Sequence, residues 1–147
     1  MILILENLCL SAQVDKIDTL LQKINNDQLY GTCHYVWVVE MRSSAGDSLI
    51  KIGDSAIDRR ISLLDNKEKG IIAHIILVKI TGIPYSLSSS FEHGIITYYF
   101  GGLTFKERDE HFYTSDSILL NNKKKWIKGN YNDPLYINYD SILIKKD

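Results

Sequence analysis

Apolar residues at Val14, Ile17, Leu20, Leu21 and Ile24 recur at helical spacing, and predict a helix over residues 11–25 with Ser11 as its N-cap. Residues 25–31 (NNDQLYG) read as a polar connector. Residues 33–41 (CHYVWVVEM) are aromatic and β-branched on both faces, the pattern of a central strand. Loop chemistry over 42–47 (RSSAGD) and a second short strand over 48–53 (SLIKIG) complete an expected hairpin. A helix then opens at Ser55-x-x-Asp58, with Ile57, Ile61 and Leu64 as its apolar stripe. The isoleucine-rich run 71–80 reads as a third strand covered on both faces. After a turn at 81–84, a helix is predicted over 86–100, stopped by Gly101-Gly102. A short strand over 110–114, a last helix over 115–128 and a strand-like stretch at 141–144 follow. The order β-β-α-β-α predicts an α/β protein with a small, mainly antiparallel three-stranded sheet flanked by helices.

Composition narrows the possibilities. A chain of 147 residues with 45% hydrophobic and 24% charged positions suits one folded domain, not a disordered tail. The formal net charge of −1 supplies no global positive field, so any nucleic-acid contact must come from a local patch. Cys9 and Cys33 form no CxxC pair and read as small core residues. The apolar run 1–5 is too short to span a membrane, is broken by Glu6 and Asn7, and lacks a basic start. A soluble protein of a reducing compartment, without membrane contact, is the expectation.

Tyr35-Val36, Lys51-Ile52-Gly53, Arg60 and Glu92, taken in that order, resemble the GIY-YIG nuclease superfamily. The resemblance is to the phage and mobile-element branch whose second motif reads KIG. It covers residues 31–115, leaving an N-terminal helical extension (1–30) and a C-terminal extension (116–147). Glu110-His111-Phe112 resembles the Glu-Trp-Phe run that closes such domains. Departures are His34 where the family has Gly-Ile before the tyrosine, Ile96 where a histidine commonly follows the helix glutamate, and His111 for tryptophan. The resemblance implies a metal-dependent DNA endonuclease or nickase, phage or mobile-element encoded and working in the cytoplasm, that of the host for a phage. Tyr35 is then the water-activating base, helped by Lys51, whose cation lowers a phenol pKa otherwise about 10; alternatively Lys51, if desolvated, is itself the base. Arg60 braces the phosphate with its planar fork, and Glu92 holds Mg²⁺ or Mn²⁺, hard ions for which one carboxylate plus substrate phosphate suffices.

The helical wheels offer separate support. On the predicted 86–100 helix, Leu87, Phe91, Ile95 and Tyr98 form a stripe and Glu92 falls on its apolar flank, where a carboxylate needs a partner or a metal. Arg60 lies beside Ile57 and Leu64 on its helix, with Arg59 the fallback.

Ordinary readings stand beside these. Glu92 can pair with a surface cation, Lys51 can guard a sheet edge, and Tyr35 can be core. His74, inside an apolar run, reads as a satisfied core histidine. Lys123, Lys124, Lys125 and Lys128 around Trp126 read as a solvated helix face or as a DNA-contacting patch, with Arg42, Arg59 and Lys106 as the alternative DNA path. The sequence leaves open a homodimer or protein partner. It also leaves open two rivals to the enzyme: a binding module with decayed catalysis, and an inhibitor using the fold as a scaffold. A working site requires Tyr35 and Lys51 on one sheet face with Arg60 and Glu92 turned toward them; any other placement favours the binding module.

Overall fold

The computed structural model describes residues 2–33, 35–82 and 87–129, with side chains from Ala12 onward. Its elements are α1 (Ile2–Lys23), β1 (Leu29–Cys33), β2 (Trp37–Met41), α2 (Ser44–Ile52), α3 (Ile57–Ile61), α4 (Gly70–Thr81), β3 (Leu87–Glu92), β4 (Ile95–Phe100), β5 (Leu103–Arg108), β6 (His111–Tyr113) and α5 (Asp116–Ile127). The protein is α/β, with helices and two antiparallel sheets: the hairpin β1–β2 and the meander β3–β4–β5–β6. This replaces the expected three-stranded sheet. The strand-like stretch expected at 141–144 lies outside the described residues.

Helix α4 is the centre. Every residue from Ile71 to Val78 is buried, and the helix packs against α2, α3 and β5. The apolar run was expected to be a strand. A continuous apolar run has no period to tell strand from helix, and twelve residues of which the first nine, Gly70 to Val78, are buried form a core helix. Lys69 gives α4 no side-chain cap. Asn26, on the turn after α1, substitutes: its Oδ1 accepts from Ile72 N at 3.0 Å and its Nδ2 donates to Lys67 O at 2.8 Å. Lys69 Nζ in turn donates to Leu21 O and Gln22 O, carbonyls at the end of α1.

Residues 33–41 are not one strand. Tyr35, at φ 95°, sits in a turn that folds the stretch back, so Cys33 pairs with Trp37 and Gly31 with Val39. Cys33 is exposed, not core. The expected strand over 48–53 is instead the second half of α2. Ser43 caps that helix by accepting from Gly46 N at 3.0 Å, and Ala45 and Leu49, four apart, bury its inner face. Ser11 lies within α1 and is no N-cap, since α1 starts nine residues earlier than expected.

The expected helix over 86–100 is a hairpin. His93 (φ 50°) and Gly94 (φ 78°) form a two-residue turn with both residues left-handed, which suits the twist of the flanking strands. Gly101-Gly102 and Asp109-Glu110 repeat the device at φ 50° and 82°, and 51° and 64°. Strict alternation follows: Ile96, Tyr98 and Phe100 on β4, and Leu103, Phe105 and Glu107 on β5, face inward. Helix α5, capped by Ser115, and strand β6 lie where the sequence placed them.

Candidate functional site

The four residues of the motif set fall into two pairs. Arg60 is fully buried, and its Nη2 donates to Leu49 O at 2.6 Å, two residues before Lys51 on α2. Lys51 itself is exposed at the end of that helix. Tyr35 and Glu92 flank a different contact, the stacked rings of Trp37 and Phe91, whose centroids are 6.4 Å apart. Tyr35 is wholly exposed in the β1–β2 turn. Glu92 closes β3 with its side chain 83% exposed, and its nearest ionic neighbour is His93 Nδ1 at 3.6 Å. No hydrogen bond or ion pair among the described residues joins any of the four to another.

Arg60 departs furthest from its expected role. Burial alone lowers its guanidinium to about 10, still charged at neutral pH. Its Nε and Nη1 have no hydrogen-bond partner. An interior cation with one acceptor is costly and reaches no external phosphate. Arg60→Met, of similar volume, is therefore expected to leave the melting temperature unchanged or raise it, by up to a few kcal/mol of stability. A large loss of stability in thermal melts would show that the guanidinium has partners after all.

Glu92 has chemistry for a hard cation but no cage around it. Among the described residues no three of His, Cys, Asp or Glu gather into a metal-holding group. One carboxylate holds Mg²⁺ only with help from substrate phosphate and water. Because Glu92 is a strand residue, the helical flank that the sequence implied for it does not exist.

The basic candidates are partly committed elsewhere. Arg59 is ion-paired with Asp18, and Arg42 lies over the Tyr30 ring, 4.1 Å from its centroid. Lys123 Nζ bonds Asp65 Oδ1 at 2.8 Å and Ser62 O at 3.1 Å, which lowers the Asp65 carboxyl below its usual range. Lys124, Lys125 and Lys128 are exposed on or just after α5. Trp126 is buried and offers no stacking surface.

Instead, Trp126 belongs to an internal polar knot. His74 Nε2 bonds Phe100 O at 2.9 Å, while its Nδ1 faces Trp126 Nε1 and Asn122 Nδ2, each at 3.2 Å. One tautomer satisfies this set: Nε2 carries the proton and Nδ1 accepts. Burial pushes the imidazole down to about 4, with Lys125 adding to the shift. His74 is a satisfied core histidine tying α4 to β4 and α5.

The surface that sequence reasoning missed, apart from Lys106, is the outward face of the meander. Tyr99, Lys106, Arg108, His111 and Tyr113 are all exposed there. The period-two alternation within 95–108 and the paired turn residues were its signal. The chain matches no known protein family, curated protein or solved structure.

Proposed function

We propose that this chain is a DNA-binding protein that holds its ligand without cutting it. The observation that carries this reading is the full burial of Arg60, the expected phosphate brace, whose guanidinium donates to Leu49 O inside the core. Phosphodiester hydrolysis needs base, phosphate brace and metal ligand within hydrogen-bond reach of one phosphate. A guanidinium enclosed by the core supplies no brace. The test is titration of labelled DNA with the full chain across salt concentrations. Binding that weakens linearly in log–log form with added salt supports the reading, through counterion release at lysines and arginines. Absence of binding at low salt overturns it.

A second reading, a metal-dependent endonuclease or nickase of the GIY-YIG type using Mg²⁺ or Mn²⁺, is favoured by one observation: Tyr35, Lys51-Ile52-Gly53, Arg60 and Glu92 occur in the order that family uses. One active site then nicks, and double-strand cleavage takes a homodimer. Its signature is metal-dependent cleavage that Glu92→Gln abolishes. Glu92 is exposed, and among the described residues its side chain has His93 as its one ion-pair neighbour, so that variant is expected to stay folded within about 0.5 kcal/mol. Cleavage by Glu92→Gln at the wild-type rate removes Glu92 from any active site. Among the described residues no helix is long and apolar enough to cross a membrane.

A further inference from the structure

The meander β3–β6 turns one face inward to the core, and among the described residues no element covers the other. Parity along each strand defines the outer face. Ser88, Ser90 and Glu92 on β3 share it with Ile95, Thr97 and Tyr99 on β4, with Thr104, Lys106 and Arg108 on β5, and with His111 and Tyr113 on β6. The registers Ser90↔Thr97, Thr97↔Lys106 and Lys106↔Tyr113 form its middle row, and Ser88↔Tyr99 and Tyr99↔Thr104 the row beside it.

Tyr99 and Tyr113 are 43% and 41% exposed, on strands that flank β5 from either side. Two strand spacings across and one row along place them roughly 10 Å apart in one direction and roughly 7 Å in the other. Lys106 lies directly opposite Tyr113 and diagonal to Tyr99, and Arg108 sits one row further on, opposite His111. Beside Tyr113 a hollow of about 330 Å³ opens between β5, β6 and the start of α5, lined by Thr104, Lys106, Tyr113, Thr114 and Ile118. It is of the size that takes a flat ring.

We propose that this face binds single-stranded DNA, with bases stacking on Tyr99 and Tyr113 and phosphates held by Lys106 and Arg108. The inference deepens the DNA-binding reading above and rests on it. A duplex keeps its base faces inside the stack and presents only edges to a protein. Two rings set well apart on a pleated surface can be covered only by bases already unstacked from one another. The charge on the face is complementary to such a strand. Among the described residues Lys106 and Arg108 have no ion-pair partner, whereas Arg59, Arg42 and Lys123 are engaged elsewhere. The outward acid is Glu92 at the far end of β3, and Asp109 and Glu110 bound the same end of the sheet in the β5–β6 turn. Lys106, between the tyrosines and one row in from that turn, is therefore the main phosphate contact, and Arg108, beside the turn, is the outer one. No ribose hydroxyl is needed for either kind of contact.

The test is fluorescence anisotropy on the full chain, using a labelled mixed-sequence DNA strand, its duplex and the RNA of the same sequence. The single DNA strand is expected to bind more tightly than the duplex. Tyr99→Ala and Tyr113→Ala are each expected to weaken it about five-fold or more, while Tyr99→Phe and Tyr113→Phe retain it, because stacking needs the ring and not the hydroxyl. Lys106→Gln is expected to lower the slope of log affinity against log salt by about 0.7. Both tyrosine-to-alanine variants binding like wild type, or RNA binding more tightly than DNA, overturns the assignment. Tight duplex binding with weak single-strand binding overturns this surface and leaves the DNA-binding reading standing. Binding of neither form overturns both.

Discussion

Gly31→Ala is expected to destabilise the protein by about 3 kcal/mol, at the upper end of overpacking costs. Gly31 lies on β1 where the hairpin crosses the inner face of the meander. A Cβ there falls well inside van der Waals contact of Tyr98 Oη and Glu107 Oε2, and 3.2 Å from Glu107 Cδ. Neither obstruction yields easily. The Tyr98 ring is fully buried, stacked on Phe105 at 5.3 Å and tilted against Phe112 at 5.8 Å. Its hydroxyl donates to the buried Glu107 carboxyl. Burial and that bond hold the phenol far above its ordinary pKa. Making room for a methyl group separates the pair and leaves buried polar atoms unpartnered, which adds to the steric cost. In thermal melts the loss corresponds to roughly 10 °C for a chain of this length. In a Glu107→Ala background, one obstruction is gone and the additional cost of Gly31→Ala is expected to shrink. An unchanged melting temperature for Gly31→Ala would contradict the close approach of hairpin and sheet.

The second large effect is acid destabilisation through His74. In the unfolded chain this imidazole takes a proton near pH 6.5; in the fold, burial delays that to about pH 4. Between those values the unfolded state binds more protons, so stability falls as pH falls. The contribution is whole above pH 6.5 and is lost progressively toward pH 4, amounting to about 3 kcal/mol. Protonation also turns Nδ1 from acceptor to donor, facing the Trp126 and Asn122 donors. His74→Gln keeps a donor and an acceptor but does not titrate. Denaturant melts from pH 7 to pH 4 should therefore show a steeper loss for wild type than for His74→Gln. Parallel curves would place His74 in contact with solvent.

The contrast between legible and illegible elements has a physical basis. Helix α5 and its Ser115 cap, and the short strand at 111–113, carry local signals: a capping side chain and a polar run with spaced apolar residues. Helix α4 carries none, because burial on all sides erases periodicity, and its N-terminus is satisfied by Asn26 from far along the chain. For residues 86–100, the stripe of Leu87, Phe91, Ile95 and Tyr98 fits a helix, while alternation of Ile96, Tyr98 and Phe100 fits a strand. The His93-Gly94 turn decides for the strand. The candidate site was legible only as an order of residues. Order fixes neither which face of an element a side chain takes nor which elements meet. With Lys51 on a helix, and Glu92 on a strand that abuts the β1–β2 hairpin, the order no longer implies one site.

The most direct test of a DNA-binding protein that does not cut is incubation of supercoiled plasmid with the full chain, with Mg²⁺ or with EDTA, resolved on a native gel and again after protein removal. Retarded plasmid is expected in both conditions, with supercoiled plasmid recovered from both. Nicked or linear plasmid recovered with Mg²⁺ and absent with EDTA would contradict binding without cutting, and would show that Tyr35, Lys51, Arg60 and Glu92 come together in a state other than the one described.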